Sequence, residues 1–451
     1  VLLDHGRRKE ISELRDEFDG EEAVVAAGET VKSDIVLFTE NEGEEVFEVE
    51  TETGETVRAT ADHPFMTEEG MVELEKLSEG SQVFIRPFRG VEDSEPEEFT
   101  VLDREDFEGE NRQLIEALEE RDLLPLKSTD EKFNTLLKLV AFHTGDGSFN
   151  NYSETTFYAE EQDLETISRD IESLGFKPSR IYSRERDHEV KGREFSRTEH
   201  SVKSTSEAFQ RLLTKLGAPK GEKTGQEFTT PGYLDRLEDW QKALYLSAFF
   251  GAEMSAPAAQ SRKNLYCPKV SQNKAAEVKE SGRKFMEEIK EMLENLGVKT
   301  NSIESLDAGE NRHGEVQRFR LGIKNDSHNL IDFYQRIGYR YNLEKRKKAV
   351  KAVQYLKKKQ KAIERREEIA QKSIELYEDG VQTQEIKQKF HINDRFIERS
   401  VYSGRKTVSR PPETFPDYED FAETIEVRDD LRVKTSIRSI EEAGTEPVYD
   451  I

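Results

Sequence analysis

The chain has 451 residues, enough for two to four domains, with 34% hydrophobic content and a mean hydropathy of −0.82 that suit modest folded cores. No apolar run approaches the ~20 residues of a bilayer span and no signal peptide is visible, so a cytoplasmic protein with no membrane partner is expected. A net charge of −26 excludes a general nucleic-acid binder, the single Cys267 excludes a disulfide framework or a multi-cysteine zinc site, and the surplus of Asp and Glu suggests a salt-adapted microbial cytoplasm.

Residues 1–90 carry 9 basic against 24 acidic side chains and alternate like strands, as in Val46-Phe47-Glu48-Val49-Glu50 and Thr56-Val57-Arg58-Ala59-Thr60. Within them lies Thr60-Ala61-Asp62-His63-Pro64-Phe65, then a turn at Gly70 and Leu74-Glu75-Lys76-Leu77-Ser78-Glu79-Gly80. That run resembles the TxxHPF block of the Hint fold of inteins and hedgehog autoprocessing domains. The resemblance implies an all-β, horseshoe-like splicing domain joined covalently to host exteins. In such a domain a Cys or Ser attacks the preceding peptide carbonyl, while His63 and Thr60 polarise that bond and protonate the leaving nitrogen. Val1 stands where the family has Cys or Ser, and Glu446–Ile451 resembles the block that precedes its His-Asn. The chain therefore reads as an intein piece trimmed by gene calling or assembly, not expected to splice as written.

Residues 91–129 read as a linker. Two helix-like segments follow, Leu136 to Gly147 (LLKLVAFHTGDG) and Ala243 to Met254 (ALYLSAFFGAEM), each ending in one acid after a small residue. Aligning Asp146 with Glu253 sets Ala141 and Gly145 opposite Ala248 and Ala252, small residues four apart on one helix face, which permits close helix approach. The C-terminal pole of a helix favours a cation, so two carboxylates meeting there make a divalent-metal site.

The flanks repeat as well. Gly175 and Gly217 lie 42 residues apart and Gly297 and Gly338 lie 41 apart, each closing a helical pattern, and Lys223 and Lys345 follow the last glycine of each copy. An internal duplication is the economical reading. These residues resemble the LAGLIDADG (DOD-type) homing endonucleases over about 130–345. The resemblance implies two αββαββα repeats, 130–225 and 235–345, forming a monomeric pseudo-two-fold saddle on double-stranded DNA at the intein-free insertion site. It implies Mg²⁺ on Asp146 and Glu253, Lys223 and Lys345 as basic residues beside the metals, and strand lysines such as Lys203 and Lys324 on DNA. His143 and Thr144 replace smaller residues of the family, Gly251 a frequent acid, and Met254 a glycine that would relieve left-handed strain at the helix exit.

Arg340–Arg366 holds twelve Lys or Arg against two Glu, a helical run whose sign opposes the rest of the chain and favours phosphate tracking. Helical patterns at 369–380, 383–390 and 393–402 fit a helix-turn-helix, with Arg395, Arg399, Arg405 and Lys406 toward DNA. Lys434–Ile440 and Val448–Ile451 read as two returning strands.

The expected fold class is multidomain: an all-β Hint domain from 1–90 and 409–451, an α+β pseudo-two-fold endonuclease at 130–345, and a small α-helical module at 346–408. The expected function is an archaeal-type intein carrying a homing endonuclease. The opening residues and the FFGAE form of the second motif also resemble inteins of the archaeal RNA 3′-phosphate ligase. A catalytically inactive LAGLIDADG and helix-turn-helix transcription regulator is the alternative, and a hedgehog-type domain would need neither motif helix.

Overall fold

The computed structural model describes every residue except 16–21, 27–29, 151–152, 191–192, 313 and 404–409. The N-terminal part is built of strands: β1 (Thr39–Thr51), β2 (Thr56–Ala59), the hairpin β3 (Pro64–Thr67) and β4 (Gly70–Glu73), and β5 (Gln82–Ile85). Val46 and Val49 of β1 are both buried, three residues apart and so on opposite faces of the strand, while the glutamates of its first half face water. Val49, Ala59, Leu74 and Val83 form a small core that is completed by Ile437, nearly 400 residues away in sequence.

Residues 91–129 are not a linker. They fold into paired short strands and helix α1 (Arg112–Glu119), whose first turn is capped by Asn111 accepting from the Gln113 amide at 2.9 Å. Leu102, Phe107, Leu118 and Leu126 sit in the largest core of the molecule. The linker expectation failed because the apolar periodicity here is cut into pieces too short to read as elements.

The centre consists of helices and sheets in the order α2 (Glu131–Asp146), β6 (Gly147–Phe149), β7 (Thr155–Tyr158), α3 (Glu161–Ser173), β8 (Tyr182–Val190), β9 (Arg193–Ser204) and α4 (Glu207–Lys215). A second run follows: α5 (Asp239–Glu253), β10 (Lys269–Ala275), α6 (Lys279–Asn295), β11 (Glu304–Asn311), β12 (Gly314–Gly322) and α7 (Ser327–Arg336). The first sheet is ordered β6-β7-β9-β8 and the second β10-β12-β11, one strand fewer, because the residues after α5 form a separate hairpin at 259–265. Gly175, Gly217, Gly297 and Gly338 each lie just past a helix with φ of +80°, +97°, +81° and +58°. Only glycine takes that conformation without strain, so the sequence spacing marks equivalent helix ends.

Helices α2 and α5 are buried on almost every side, from Phe133 to Thr144 and, with one gap at Lys242, from Trp240 to Gly251. A helix apolar all round belongs in the middle of a core, and these two pack on each other there.

From Leu343 one helix, α8, runs 36 residues to Glu378, so the basic run and the first helix of the expected module are continuous, and the 345/346 boundary falls inside it. Short helices α9 (Thr383–Phe390) and α10 (Asp394–Ile397) and a π-helical turn at Glu398–Tyr402 follow. After α11 (Tyr418–Thr424), strand β13 (Val433–Asp450) returns to the N-terminal part. The two expected C-terminal strands are one 18-residue strand, bent where its register shifts, pairing with β1 along most of its length and with β5 at its start.

Backbone closeness at the centre is testable. A Cβ on Gly251 would overlap the carbonyl oxygen of Arg340, so Gly251→Ala is expected to destabilise the chain by about 1–3 kcal/mol. Urea unfolding of the full chain measures it, and an unchanged midpoint would refute the packing.

Candidate active site

Two facts of sequence place the acids. Small residues let α2 and α5 touch: a Cβ on Gly145 would overlap Ala252 and Glu253, and Ala141 and Ala248 are fully buried. Each acid is the last residue of its helix, so the contact brings Asp146 and Glu253 out at one end, both exposed. The Glu253 carboxyl is pushed up to about 7, first by the protein crowded around it and then by the charge of Asp146, against the pull of Lys223 and Lys345. The crowding is one-sided, since the residue keeps an open face toward solvent.

Each lysine holds the end of the motif helix of its own repeat. Lys223 donates from Nζ to the carbonyls of His143, at 2.9 Å, and Gly145. Lys345 donates to those of Gly251 at 2.7 Å and Ala252 at 3.1 Å. The Gly145, Gly251 and Ala252 carbonyls lie past the last intrahelical bonds, while that of His143 also accepts the closing bond from the Gly147 amide, so a cation there serves both hydrogen bonding and the negative pole. Desolvation brings each ammonium down to about 8, offset in part by the two acids.

Two supporting residues were not anticipated. Lys274 on β10 is fully buried and donates to the carbonyls of Lys223 at 2.9 Å and Gln226 at 2.6 Å, fixing the loop that carries Lys223. Its signal was a charge in the inward register of a strand, two residues from Gln272 and four from buried Val270. Asn342 caps α8 by accepting from the Lys345 amide at 3.1 Å and donates to the Gly251 carbonyl at 3.1 Å.

The departures from the family pattern have local causes. Neither helix exit is left-handed: Gly147 lies at φ −116°, ψ 162° and Met254 at φ −80°, ψ 143°, both extended. Met254 therefore carries no backbone strain, and its side chain is buried. The glycine at 147 is needed for a different reason, because a Cβ there would collide with the ring of His143. That ring is buried, stacks on Phe149 at 3.9 Å, and is held neutral by burial and the nearby Lys223 charge. Thr144 returns its hydroxyl to the Val140 carbonyl at 2.9 Å.

The other candidate residues lie apart. His63 is exposed in a turn fixed by its amide to the Thr60 carbonyl at 3.2 Å and by the Leu74 amide to its own carbonyl at 3.0 Å. The Thr60 hydroxyl bonds the Asp62 carboxylate and lowers its pKa, and the His63 ring stands edge-on to Phe65. Lys203 is paired with Glu154 at 3.0 Å, whereas Lys324 is exposed. Arg395 and Arg399 are exposed over buried Phe396 and Ile397, and Arg405 and Lys406 lie outside the described residues.

The basic run does not present a phosphate-tracking face. Of its twelve bases only Lys348 and Arg365 are exposed, and Lys357 pairs with Glu55 at 2.7 Å, Lys361 with Glu50, and Lys347 with Asp429 at 2.6 Å. Acid on the N-terminal strands draws it inward.

The Asp146 and Glu253 carboxylates offer hard oxygen donors at one end of the paired helices, the donor type that Mg²⁺ takes. Among the described residues, the grouping of three ligand atoms that could hold a metal is Asp4, His5 and Glu131, at the opposite end of α2. There His5 Nε2 bonds Glu131 at 2.7 Å, which accounts for the grouping.

A carboxyl near 7 must lose its proton to hold a cation. Affinity for Mg²⁺ is therefore expected to rise roughly tenfold or more between pH 6 and pH 8, and Glu253→Gln is expected to flatten that dependence to the smaller part owed to Lys223 and Lys345. Isothermal titration at the two pH values reads it, and a pH-independent affinity would contradict the assignment.

A family model described as "Intein splicing domain" matches residues 1–451. The "tRNA-splicing ligase RtcB" of Methanocaldococcus jannaschii is 32% identical, covering 100% of this chain and 48% of that protein. The "DNA-directed RNA polymerase subunit Rpo1N" of the same organism is 28% identical over 72% of this chain and 25% of its own length. The chain thus spans less than half of each of these relatives. A solved structure of the homing endonuclease I-WcaI bound to its DNA recognition sequence aligns with 45% of this chain and 80% of that one, at 11% identity and a TM-score of 0.28, a likeness too slight to carry weight.

Proposed function

The chain belongs to the intein splicing domain family, and from that premise we propose that it is a protein-splicing element carrying a Mg²⁺-dependent homing endonuclease that cuts both strands of its intein-free insertion site. The observation that carries the nuclease reading is the paired helix end, where two acids and two lysines arrive in matched positions from two runs of similar order. Relatives with unrelated printed names align with the same chain, which favours a segment that moves between hosts. Its own host is then a ligase of the kind that the relative matched over the full chain is named for.

In this reading Asp146 and Glu253 hold Mg²⁺, which when bound lowers the pKa of an attacking water and stabilises the leaving 3′ oxygen. The chain's own part is geometric and electrostatic. Gly145 and Ala252 set the separation of the carboxylates by letting the helices meet. Lys223 and Lys345 keep the two helix ends in place and supply positive charge beside the scissile phosphates. Lys203, Lys324, Arg395 and Arg399, with Arg405 and Lys406, would contact the DNA backbone or groove, positioning the duplex more than reading it. In the splicing half, His63 and Thr60 serve the first acyl shift.

The test is incubation of the full chain with Mg²⁺ and a duplex spanning an intein-free ligase gene. A double-strand break with 3′ overhangs is expected, and Asp146→Asn is expected to slow it by roughly 100-fold or more. Tight binding without a break would instead favour the regulator, and cutting by Asp146→Asn at the parent rate would remove the metal assignment.

A further inference from the structure

Away from the acid pair, between the first residues of the chain and the start of α8, lies a cavity of 230 Å³. Four parts of the chain enclose it: residues 2–6, residues 86–88, the strap 334–340 and the first turns of α8, with Leu431 closing one side. Much of the lining is apolar, yet three arginines enter it, Arg86, Arg340 and Arg346, against a single acid, Asp4. His5 adds no positive charge, because burial lowers its pKa.

The protein meets these charges only in part, with Asp4 and Asp170 acting on Arg340 and Asp163 on Arg346. Nε and one terminal nitrogen of Arg86 are sealed from solvent and have no hydrogen-bond partner. Asp430, the acid nearest in effect to Arg86, is bound to Arg432 at 2.5 Å. Arg340 donates to the His5 carbonyl and packs against Gly6, where a side chain would press on its guanidinium. Arg346 is brought down to about 9 by burial and by the charges of Arg86 and Arg340. Three guanidinium groups that repel one another in a shielded space form an arrangement that a folded chain avoids unless something of opposite sign joins them. Water fits, since the space far exceeds the ~30 Å³ share of one molecule, but water satisfies donors without cancelling charge.

We propose that this cavity binds a small phosphate-class oxyanion, gripped by Arg86, Arg340 and Arg346. Planar, multi-pronged guanidinium groups suit tetrahedral oxyanions, and one ion here would touch the splicing part, the second nuclease run and α8 together. Its binding would stabilise the junction of those parts. The proposal stands independently of the nuclease reading, since it involves neither acid.

The experiment titrates the full chain with inorganic phosphate in EDTA, so that no cation links phosphate to the acid pair, with ionic strength held by chloride. Calorimetry is expected to give one phosphate per chain, and Arg86→Met to weaken it by roughly tenfold or more. In chloride alone Arg86→Met should melt no lower than the parent, because it removes a buried charge without a partner, while the rise in melting temperature on adding phosphate should disappear. Arg86→Lys, which keeps the charge and loses the two-pronged geometry, should retain part of that rise. An absent phosphate heat, or an equal phosphate response in parent and Arg86→Met, would overturn the site.

Discussion

Close approach of α2 and α5 at their C-terminal ends is the constraint on which the rest of the centre depends. Gly145 and Ala252 allow it, and the contact then sets two negative helix poles and two carboxylates against each other. Left alone, that concentration of negative charge would push the helices apart. Lys223 and Lys345 oppose it by donating to the last carbonyls of each helix, while burial first and the charge of Asp146 second still keep the Glu253 carboxyl raised. A divalent cation would oppose it further. Structure and chemistry are thus the same electrostatic problem here, since the groups that would react are also the groups that must be kept together.

A second balance joins the halves of the molecule. The N-terminal strands are rich in acid, and α8 is rich in base, and the two meet at Glu55 with Lys357 and Glu50 with Lys361. The Glu55 carboxyl is largely buried against this contact, and Lys357, with Thr51 and Thr53, keeps it below the usual range although burial works the other way. Such shielded pairs are costly to break one partner at a time. They also explain why a charge run that reads as a DNA-facing helix turns toward protein: acidic strands lie closer than any phosphate.

Much of this was legible where residue type and spacing act locally. The motif helices, the four helix-ending glycines and the lysine after each last glycine could be read because a helix face, a left-handed turn and a helix pole each demand particular residues. The strands at Val46–Glu50 and Thr56–Ala59 form where valine and threonine favour an extended chain, although their burial does not alternate. What escaped is what depends on a distant partner. Residues 91–129 fold only because their leucines find the central core, and β13 is one strand because β1 is there to template it. Gly251 is required by a backbone passing over it, and Gly147 by the ring of His143, so neither follows from the rule that glycine ends a helix.

The two halves of the centre are therefore alike in plan and different in support. On the first side Thr144 folds its hydroxyl back onto α2, and Lys223 rides on a loop pinned from below by buried Lys274. On the second side the position aligned with Thr144 is Gly251, left bare so that the strap at Arg340 can cross α5 and bond Ser247 at 2.8 Å. That strap leads straight into α8, so Lys345 sits at the start of the helix that further along grips the splicing half. Of the two lysines, Lys345 alone rides on that helix. A disturbance of the N-terminal strands therefore has a rigid route through α8 to Lys345, whose ammonium feels both acids, Asp146 before Glu253, so the joining of the halves bears on the whole pair.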